Sequence, residues 1–175
     1  MVAIYSTFLQ RAYDQLIHDV ALQNLDVTFA IDRAGLVGED GPTHSGNYDL
    51  VYLRCIPNMI VMTPSDENET RKLLTTGFLH NGPASIRYPR GSGPNVIVEN
   101  DLSPVEIGKG RLIKEGSKDL IVINFGALLD QAKEVASTLG LTLIDMRFVK
   151  PLDDDILRKY LSEAQAFISI EDGSV

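Results

Sequence analysis

Short apolar runs alternate along the first half of the chain with segments of helical periodicity. The runs at residues 2–5, 27–31, 59–62 and 84–87 predict buried strands, since each is bounded by polar or turn-forming residues. Between the first two runs, residues 8–20 place Leu9, Ala12, Leu16 and Val20 at helical spacing. Helices are also predicted over 48–56 and 66–78. This alternation of strand and helix predicts an α/β fold with a parallel sheet.

The same alternation resumes in the second half after an interruption. Residues 88–104 contain prolines and glycines without apolar periodicity, which is typical of a connection. Beyond it, strands are predicted over 105–113, 120–124, 141–144 and 166–170, and helices over 127–139 and 153–161. We therefore predict two consecutive parallel-sheet α/β units: a first unit over 1–90, a linker over 91–104 and a second unit over 105–175.

The longest connection within the first unit joins the strand at 27–31 to the helix at 48–56. Residues 32–46 are rich in glycine and acidic residues and include one arginine and one histidine. Loops of this length in compact domains are uncommon and are usually functional or disordered. Because apolar elements bracket this one, we predict a functional loop.

Composition excludes some classes of partner. The formal net charge is −8 and the pI is near 4.8, which argues against a nucleic-acid or anionic-membrane surface. A few local arginines can still attract an anionic small substrate. Cys55 is the only cysteine, so no intrachain disulfide is possible, and we expect it to be a buried packing residue. With no apolar run near the length of a membrane span, we expect a soluble, cytoplasmic protein.

Arginines directly follow two of the predicted strands. Arg33 follows the strand at 27–31, while Arg87 and Arg90 lie at or just after the end of the strand at 84–87. Open α/β sheets bind ligands at this edge, and the planar guanidinium suits phosphate. The alternative is that each arginine pairs with a neighbouring acid such as Asp32 or Glu39. The residues alone thus indicate an α/β fragment with an anion-binding sheet edge.

Other side chains are compatible with chemistry but also with structural roles. His44 follows Asp40 by four residues and can polarise a carbonyl or move a proton, or it can be a capping histidine. Tyr5 and Phe8 flank the first strand-to-helix turn and, taken in isolation, are core aromatics. The sequence has no dinucleotide fingerprint, phosphate loop or Cys/His metal spacing.

Four motifs that follow one another along the chain allow a more specific prediction. Tyr-Ser-Thr-Phe at 5–8, Asp-Arg-Ala-Gly at 32–35, Gly-Pro-Thr-His at 41–44 and Arg-Tyr-Pro-Arg-Gly at 87–91 occur together. In these motifs the chain resembles the 1-deoxy-D-xylulose-5-phosphate synthases, which are thiamine-diphosphate enzymes of the transketolase superfamily. The resemblance extends over essentially all 175 residues. It implies a partial pyrimidine-binding domain followed by a partial C-terminal domain.

The resemblance also implies roles for individual residues. Arg33 and Arg90 would bind the phosphate of glyceraldehyde 3-phosphate, with help from Tyr5. Asp40 and His44 would contact the substrates near the reacting carbons. Phe8 would pack on the aminopyrimidine ring of thiamine diphosphate, with Arg11 nearby. Pyruvate would be the second substrate, and the intact enzyme would be a homodimer.

The resemblance places essential groups outside this chain. The family's catalytic glutamate and its Mg²⁺ ligands belong to segments before residue 1, so we expect a fragment that is inactive alone. Two alternatives remain open at this stage. One is another thiamine-diphosphate enzyme, either a transketolase or the β subunit of a 2-oxo-acid dehydrogenase. The other is a non-catalytic binding module.

Overall fold

The computed structural model describes residues 1–174, which form nine strands and six α-helices. The strands are β1 (Val2–Tyr5), β2 (Thr28–Asp32), β3 (Ile60–Met62), β4 (Ala84–Arg87), β5 (Arg111–Lys114), β6 (Ser117–Asn124), β7 (Leu141–Asp145), β8 (Phe148–Lys150) and β9 (Ala166–Ile170). The helices are α1 (Ser6–Leu9), α2 (Tyr13–Gln15), α3 (Asp49–Arg54), α4 (Glu67–Leu79), α5 (Leu129–Leu139) and α6 (Asp154–Leu161).

The strands form two sheets that follow one another along the chain. The first has the order β1-β2-β4-β3-β8 and the second the order β5-β7-β6-β9. Within each sheet the strands run parallel except at one edge, where β8 is antiparallel to β3 and β5 is antiparallel to β7. The predicted fold class of two α/β units is confirmed. The pattern of apolar residues does not predict β8, which follows the second sheet's β7 but completes the first sheet.

Helical segments cover both faces of the first sheet, as parallel strands require. On one face, Phe29 and Ile31 of β2 pack with Leu9, Leu16 and Leu53 from the helical segments. On the other face, Ala30 and Ile86 pack with Leu73 of α4 and with Phe148 of β8. Because successive residues of a strand point to opposite faces, β2 is buried on both sides and stands rigidly behind the loop that follows it.

Three predictions need correction. Residues 6–21 are not one regular helix but α1, a 3-10 turn, α2 and a π-helical segment over Leu16–Ala21, although Leu9 and Leu16 are buried as predicted. Packing against the sheet keeps this stripe buried despite the changes of pitch. The predicted strand over 105–113 is reduced to β5, because Gly108 has a positive φ of 75° and turns the chain. Cys55 is exposed rather than buried, since it follows the last turn of α3 on the outer side.

The connection between the two sheets packs along α4. Asn68 donates to the carbonyl of Ile97 at 2.9 Å and accepts from the amide of Glu99 at 3.0 Å. Lys72 forms an ion pair of 2.9 Å with Asp101. Residues 88–110 therefore lack strands and helices but are tied to the molecule by hydrogen bonds to one helix.

Candidate functional site

The loop after β2 is compact and closed at its base. Gly35 and Gly46 exchange two backbone hydrogen bonds of 2.8 Å, which brings the two ends of the loop together. Between them, the chain makes two 3-10 turns over Gly38–Asp40 and Pro42–His44. Gly41 joins these turns with a φ of 76°, a left-handed conformation that favours glycine. The predicted functional loop is thus an ordered structure with fixed side-chain positions.

Arg33 begins this loop in a strained conformation. Its φ is 58°, which is uncommon for a residue with a side chain, and its amide donates to Asp32 Oδ1 at 2.6 Å. The guanidinium donates to Asp32 Oδ2 at 2.5 Å and to Asp40 Oδ2 at 2.9 Å, and it lies 3.9 Å from the centre of the Tyr5 ring. Strained residues cluster at functional sites, where the surrounding structure holds them.

Arg90 meets Arg33 at the same carboxylate. Its Nε lies 3.2 Å from Asp40 Oδ2, and its Nη2 lies 3.5 Å from the exposed Glu39. Two guanidinium groups from the ends of neighbouring strands therefore converge on Asp40. Arg33 and Arg90 do pair with nearby acids, as the alternative interpretation predicts. This pairing does not exclude an anion site, because both guanidinium groups remain partly exposed.

Three aromatic rings lie beside the arginines. The rings of Tyr5 and Phe8 are stacked with centroids 5.3 Å apart, and His44 meets Phe8 edge-on at 5.4 Å. Thr7 Oγ1 donates to the carbonyl of Thr43 at 3.0 Å, which fixes the loop over α1. Phe8 is 37% exposed, so its ring can contact a flat ligand. The structure thus brings together six of the seven predicted site residues: Tyr5, Phe8, Arg33, Asp40, His44 and Arg90.

Arg11 is the seventh predicted residue and lies apart from these contacts. It is exposed in the 3-10 turn over Gln10–Ala12, one turn after Phe8. In the described part of the chain its side chain makes no hydrogen bond or ion pair. The structure therefore places it near Phe8 along the helical segment but shows no contact with the other candidates.

Arg87, the third strand-end arginine, points into the protein. Its side chain is 3% exposed, and its Nε donates to the buried Asp49 at 2.9 Å. Its Nη1 donates to Asp172, which follows β9 of the second sheet. Burial lowers the pKa of Arg87, but the charges of Asp49 and Asp172 outweigh burial and raise it overall. Neither Asp49 nor Asp172 is predictable from the sequence as a partner of Arg87, since nothing local links them to it.

The electrostatics of Arg33 follow the same pattern at the surface. Desolvation lowers its pKa, while the hydrogen bond to Asp40 and the charge of Asp32 raise it, and the net effect is a pKa above the ordinary value. The guanidinium is therefore a permanent charge. Three carboxylates (Asp32, Glu39 and Asp40) face two guanidinium groups here, so the local field attracts an anion only where the arginines are nearest.

A cavity lies elsewhere in the molecule. It has a volume of about 870 Å³ and is lined by residues of both sheets' connections, among them Leu36, Tyr88, Leu128 and Glu171. None of the seven predicted residues lines it. Within residues 1–174 we find no cluster of three or more acidic, histidine or cysteine side chains that could hold a metal ion. Over the same residues, no helix combines the length and apolar character needed to cross a bilayer.

Family models match both halves of the chain. Residues 1–95 match the pyrimidine binding domain of transketolase, and residues 108–175 match the transketolase C-terminal domain. The chain therefore belongs to the transketolase family. A solved structure described as a split gene transketolase, inactive beta4 tetramer, is 28% identical with a TM-score of 0.85, and the match covers 97% of this chain and 56% of that one.

Curated relatives define the resemblance more narrowly. The chain is 61% identical over all 175 residues to the 1-deoxy-D-xylulose-5-phosphate synthase of Pseudomonas fluorescens (strain Pf0-1). It is 62% identical over the same length to the enzymes of that name from Pseudomonas syringae pv. tomato and Pseudomonas aeruginosa. The resemblance seen in the sequence motifs is confirmed. The chain spans 28% of the length of these relatives.

Proposed function

We propose that this chain is part of a 1-deoxy-D-xylulose-5-phosphate synthase. The intact protein condenses pyruvate with glyceraldehyde 3-phosphate, releases carbon dioxide and forms 1-deoxy-D-xylulose 5-phosphate, a precursor of isoprenoids, thiamine and pyridoxal. Identity of 61% over the whole chain with synthases of this name supports this assignment. The observation that carries it is the convergence of Arg33 and Arg90 on Asp40 beside an aromatic cluster.

The two arginines would bind the phosphate of glyceraldehyde 3-phosphate. Guanidinium groups bind phosphate through paired hydrogen bonds, and these two are held close together by one carboxylate. Asp40 would hold them in place before the substrate arrives. Tyr5 would support Arg33 from the other side, where its ring faces the guanidinium at 3.9 Å.

His44 would act at the reacting end of the substrates. Its Nδ1 lies 3.0 Å from Thr43 Oγ1, which leaves Nε2 for a carbonyl or hydroxyl oxygen. Its ring packs edge-on against Phe8, so its orientation is restricted. We assign Asp40 and His44 to substrate contacts near the carbons that react. His44 would donate to, or accept a proton from, an oxygen at that position.

The aromatic cluster fits the pyrimidine half of thiamine diphosphate. Phe8 would stack against the aminopyrimidine ring, with Tyr5 behind it and Arg11 nearby. When bound, this cofactor supplies the carbanion chemistry that decarboxylation of pyruvate requires. We place the Mg²⁺ ligands, the diphosphate site and the catalytic glutamate in other parts of the intact protein. We further propose a cytoplasmic homodimer.

The alternatives are less well supported. A transketolase or a 2-oxo-acid dehydrogenase β subunit would also contain these domains, but the identity to the split transketolase is 28% against 61% for the synthases. A non-catalytic binding module would have no need of two arginines directed at one partly buried carboxylate. The synthase therefore accounts for more of the observed site.

The test is an assay of the intact protein that contains this chain. With thiamine diphosphate and Mg²⁺, it should form 1-deoxy-D-xylulose 5-phosphate from pyruvate and glyceraldehyde 3-phosphate, with one carbon dioxide released per product. Omitting the cofactor should abolish the product. Transfer of a two-carbon unit from a ketose phosphate, without use of pyruvate, would instead support a transketolase.

A further inference from the structure

A residue that follows the last strand of the second sheet contacts the base of the loop over residues 32–46. Asp172 follows β9, yet its carboxylate accepts from Nη1 of the buried Arg87 in the first sheet. It also lies against Gly35, where an added Cβ would stand 2.8 Å from the Asp172 Cγ. Gly35 has a φ of 73°, so both its conformation and its contact with Asp172 require glycine. A residue of the C-terminal domain therefore contacts the loop where the loop closes.

Arg87 links this contact to both ends of the loop. Its Nη2 donates to the carbonyl of Gly46 at 3.4 Å, and Gly46 is the residue that pairs with Gly35. The next residue of the chain, Tyr88, accepts from the amide of Ala34 at 3.0 Å. Arg90 lies two residues further on. The buried guanidinium of Arg87 thus contacts the base of the loop that carries Arg33, and a backbone hydrogen bond ties that base to the segment that carries Arg90.

Asp172 affects the position of the loop base, but the burial of Arg87 does not depend on it. Arg87 also donates to Asp49, which is fully buried at the start of α3. If Asp172 loses its charge, Arg87 still has one carboxylate partner within the first unit. The fold of that unit is therefore retained, while the contact that holds the loop base against the second sheet is weakened.

We propose that Arg87 and Asp172 are positioning residues for phosphate recognition. They hold Arg33 and Arg90 at the separation that binds a phosphate, although neither touches the substrate. The C-terminal domain would then contribute to the specificity for a phosphorylated aldehyde. This inference rests on the proposed synthase function.

The test uses Asp172→Asn in the intact protein with two acceptors. The variant should lose about tenfold in kcat/KM for glyceraldehyde 3-phosphate, less than the roughly 100-fold that a 1 Å misplacement can cost. Activity with D-glyceraldehyde, which lacks the phosphate, should stay within about twofold, and so should the KM for pyruvate. Glu163→Gln is the matched control, because Glu163 is an exposed acid near the opposite end of β9 that pairs with Lys118 at 2.8 Å.

A second measurement does not depend on turnover. Amide hydrogen exchange in residues 33–46 should become faster in Asp172→Asn, with exchange in β2 and α4 unchanged. Gly35→Ala, which presses on Asp172 from the loop side, should give the same pattern. Equal losses with both acceptors, or unchanged exchange in the loop, would overturn the positioning role. A wild-type protein that makes no 1-deoxy-D-xylulose 5-phosphate would overturn the synthase assignment and this inference together.

Discussion

Three arginines stand at strand ends of the first sheet, and their surroundings give them different roles. Arg33 and Arg90 share Asp40 at the surface, where water and ligands have access. Arg87 is buried between Asp49 and Asp172. The side chain's partners, rather than its place after a strand, decide whether an arginine binds a ligand or supports the fold.

At this scale the phosphate role of Arg90 predicts a selective defect. Arg90→Ala should raise the KM for glyceraldehyde 3-phosphate by roughly 10- to 100-fold, as expected for loss of a charged hydrogen bond of about 1.5–3 kcal/mol. The KM for pyruvate should change little. Arg90→Lys should give an intermediate value, since it keeps the charge but loses the planar fork. Steady-state kinetics of the intact protein measure both constants, and equal increases would contradict the assignment.

The aromatic cluster predicts a defect in cofactor binding. Phe8→Ala should weaken thiamine diphosphate binding by about 3- to 10-fold, because an aromatic stacking contact contributes about 0.5–1.5 kcal/mol. Calorimetric titration of the intact protein with the cofactor measures this change. Phe78→Ala is the control, since Phe78 is 71% exposed on α4 and lies outside the aromatic cluster of Tyr5, Phe8 and His44. Equal affinities for the two variants would refute a role for Phe8 in binding the cofactor.

Glu171 predicts a pH-dependent change in stability. Burial, followed in size by an opposing effect of Arg87 and by the repulsion of Asp172, raises the pKa of this carboxyl. The folded state therefore holds the proton more tightly than the unfolded state. The stabilisation from the protonated Glu171 carboxyl is complete below the ordinary glutamate pKa of about 4.3. It is lost as pH rises through the raised pKa of this group.

Glu171→Gln removes the charge that causes this loss. The variant should melt about 1–2 °C above the wild type at pH 7, a small shift because the group is partly solvated. The difference should disappear below about pH 4. Thermal melts of the intact protein between about pH 4 and pH 7 measure this Tm difference. A difference that does not vary with pH would contradict a raised pKa for Glu171.

At the scale of elements, α4 connects the two halves of the chain. Asp66 caps its first turn by accepting from the amide of Glu69 at 2.8 Å, and the linker packs along its outer side. Its inner side packs on β2 and β4. The helix is therefore a shared support for the sheet that carries the site and for the connection to the second sheet.

This arrangement predicts the cost of removing the cap. Asp66→Ala should lower stability by about 1 kcal/mol, which corresponds to a fall of roughly 2–4 °C in Tm. Asp66→Asn should fall less, because asparagine is an equally good cap. Comparison of the two variants separates the cap from the longer ion pair of 3.7 Å between Asp66 and Arg111. Equal losses in both would assign the effect to the ion pair.

At the scale of the whole molecule, charged groups join the two sheets. Glu69 of α4 accepts from Arg147 at 2.7 and 2.9 Å and from Arg111 at 3.0 Å. Arg111 also donates to the buried Asp145 at 3.0 Å. These contacts, together with the pairing of β8 with β3, pack the second unit against the first. Asp172 extends the same association to the loop over residues 32–46.

The proposed division of the active site predicts that this polypeptide has no turnover by itself. Purified as 175 residues, it should form no 1-deoxy-D-xylulose 5-phosphate, because the resemblance places the catalytic glutamate and the Mg²⁺ ligands outside it. Adding the remaining part of the intact protein as a separate chain should restore activity. Measurable synthase activity from the 175-residue chain alone would refute the proposal.

The sequence by itself determined most of the succession of strands and helices, because burial of local periodic patterns decides which residues form them. It also indicated the loop over 32–46 and the two surface arginines, since polar residues directly after buried strands meet at one sheet edge. Family motifs added roles for Tyr5 and Phe8, which in isolation are core aromatics, and for His44, which the residues alone leave open between chemistry and a cap. Arg11 was added in the same way, and its role stays a prediction.

Only the tertiary structure decided which groups meet across long separations. β8 joins the first sheet, Arg87 is buried while Arg90 is not, and Asp172 contacts the base of a loop that begins far earlier in the chain. Local sequence does not predict these contacts, because they depend on how the two sheets pack. The loop's chemistry is therefore encoded locally, whereas the position of its arginines depends on the second unit.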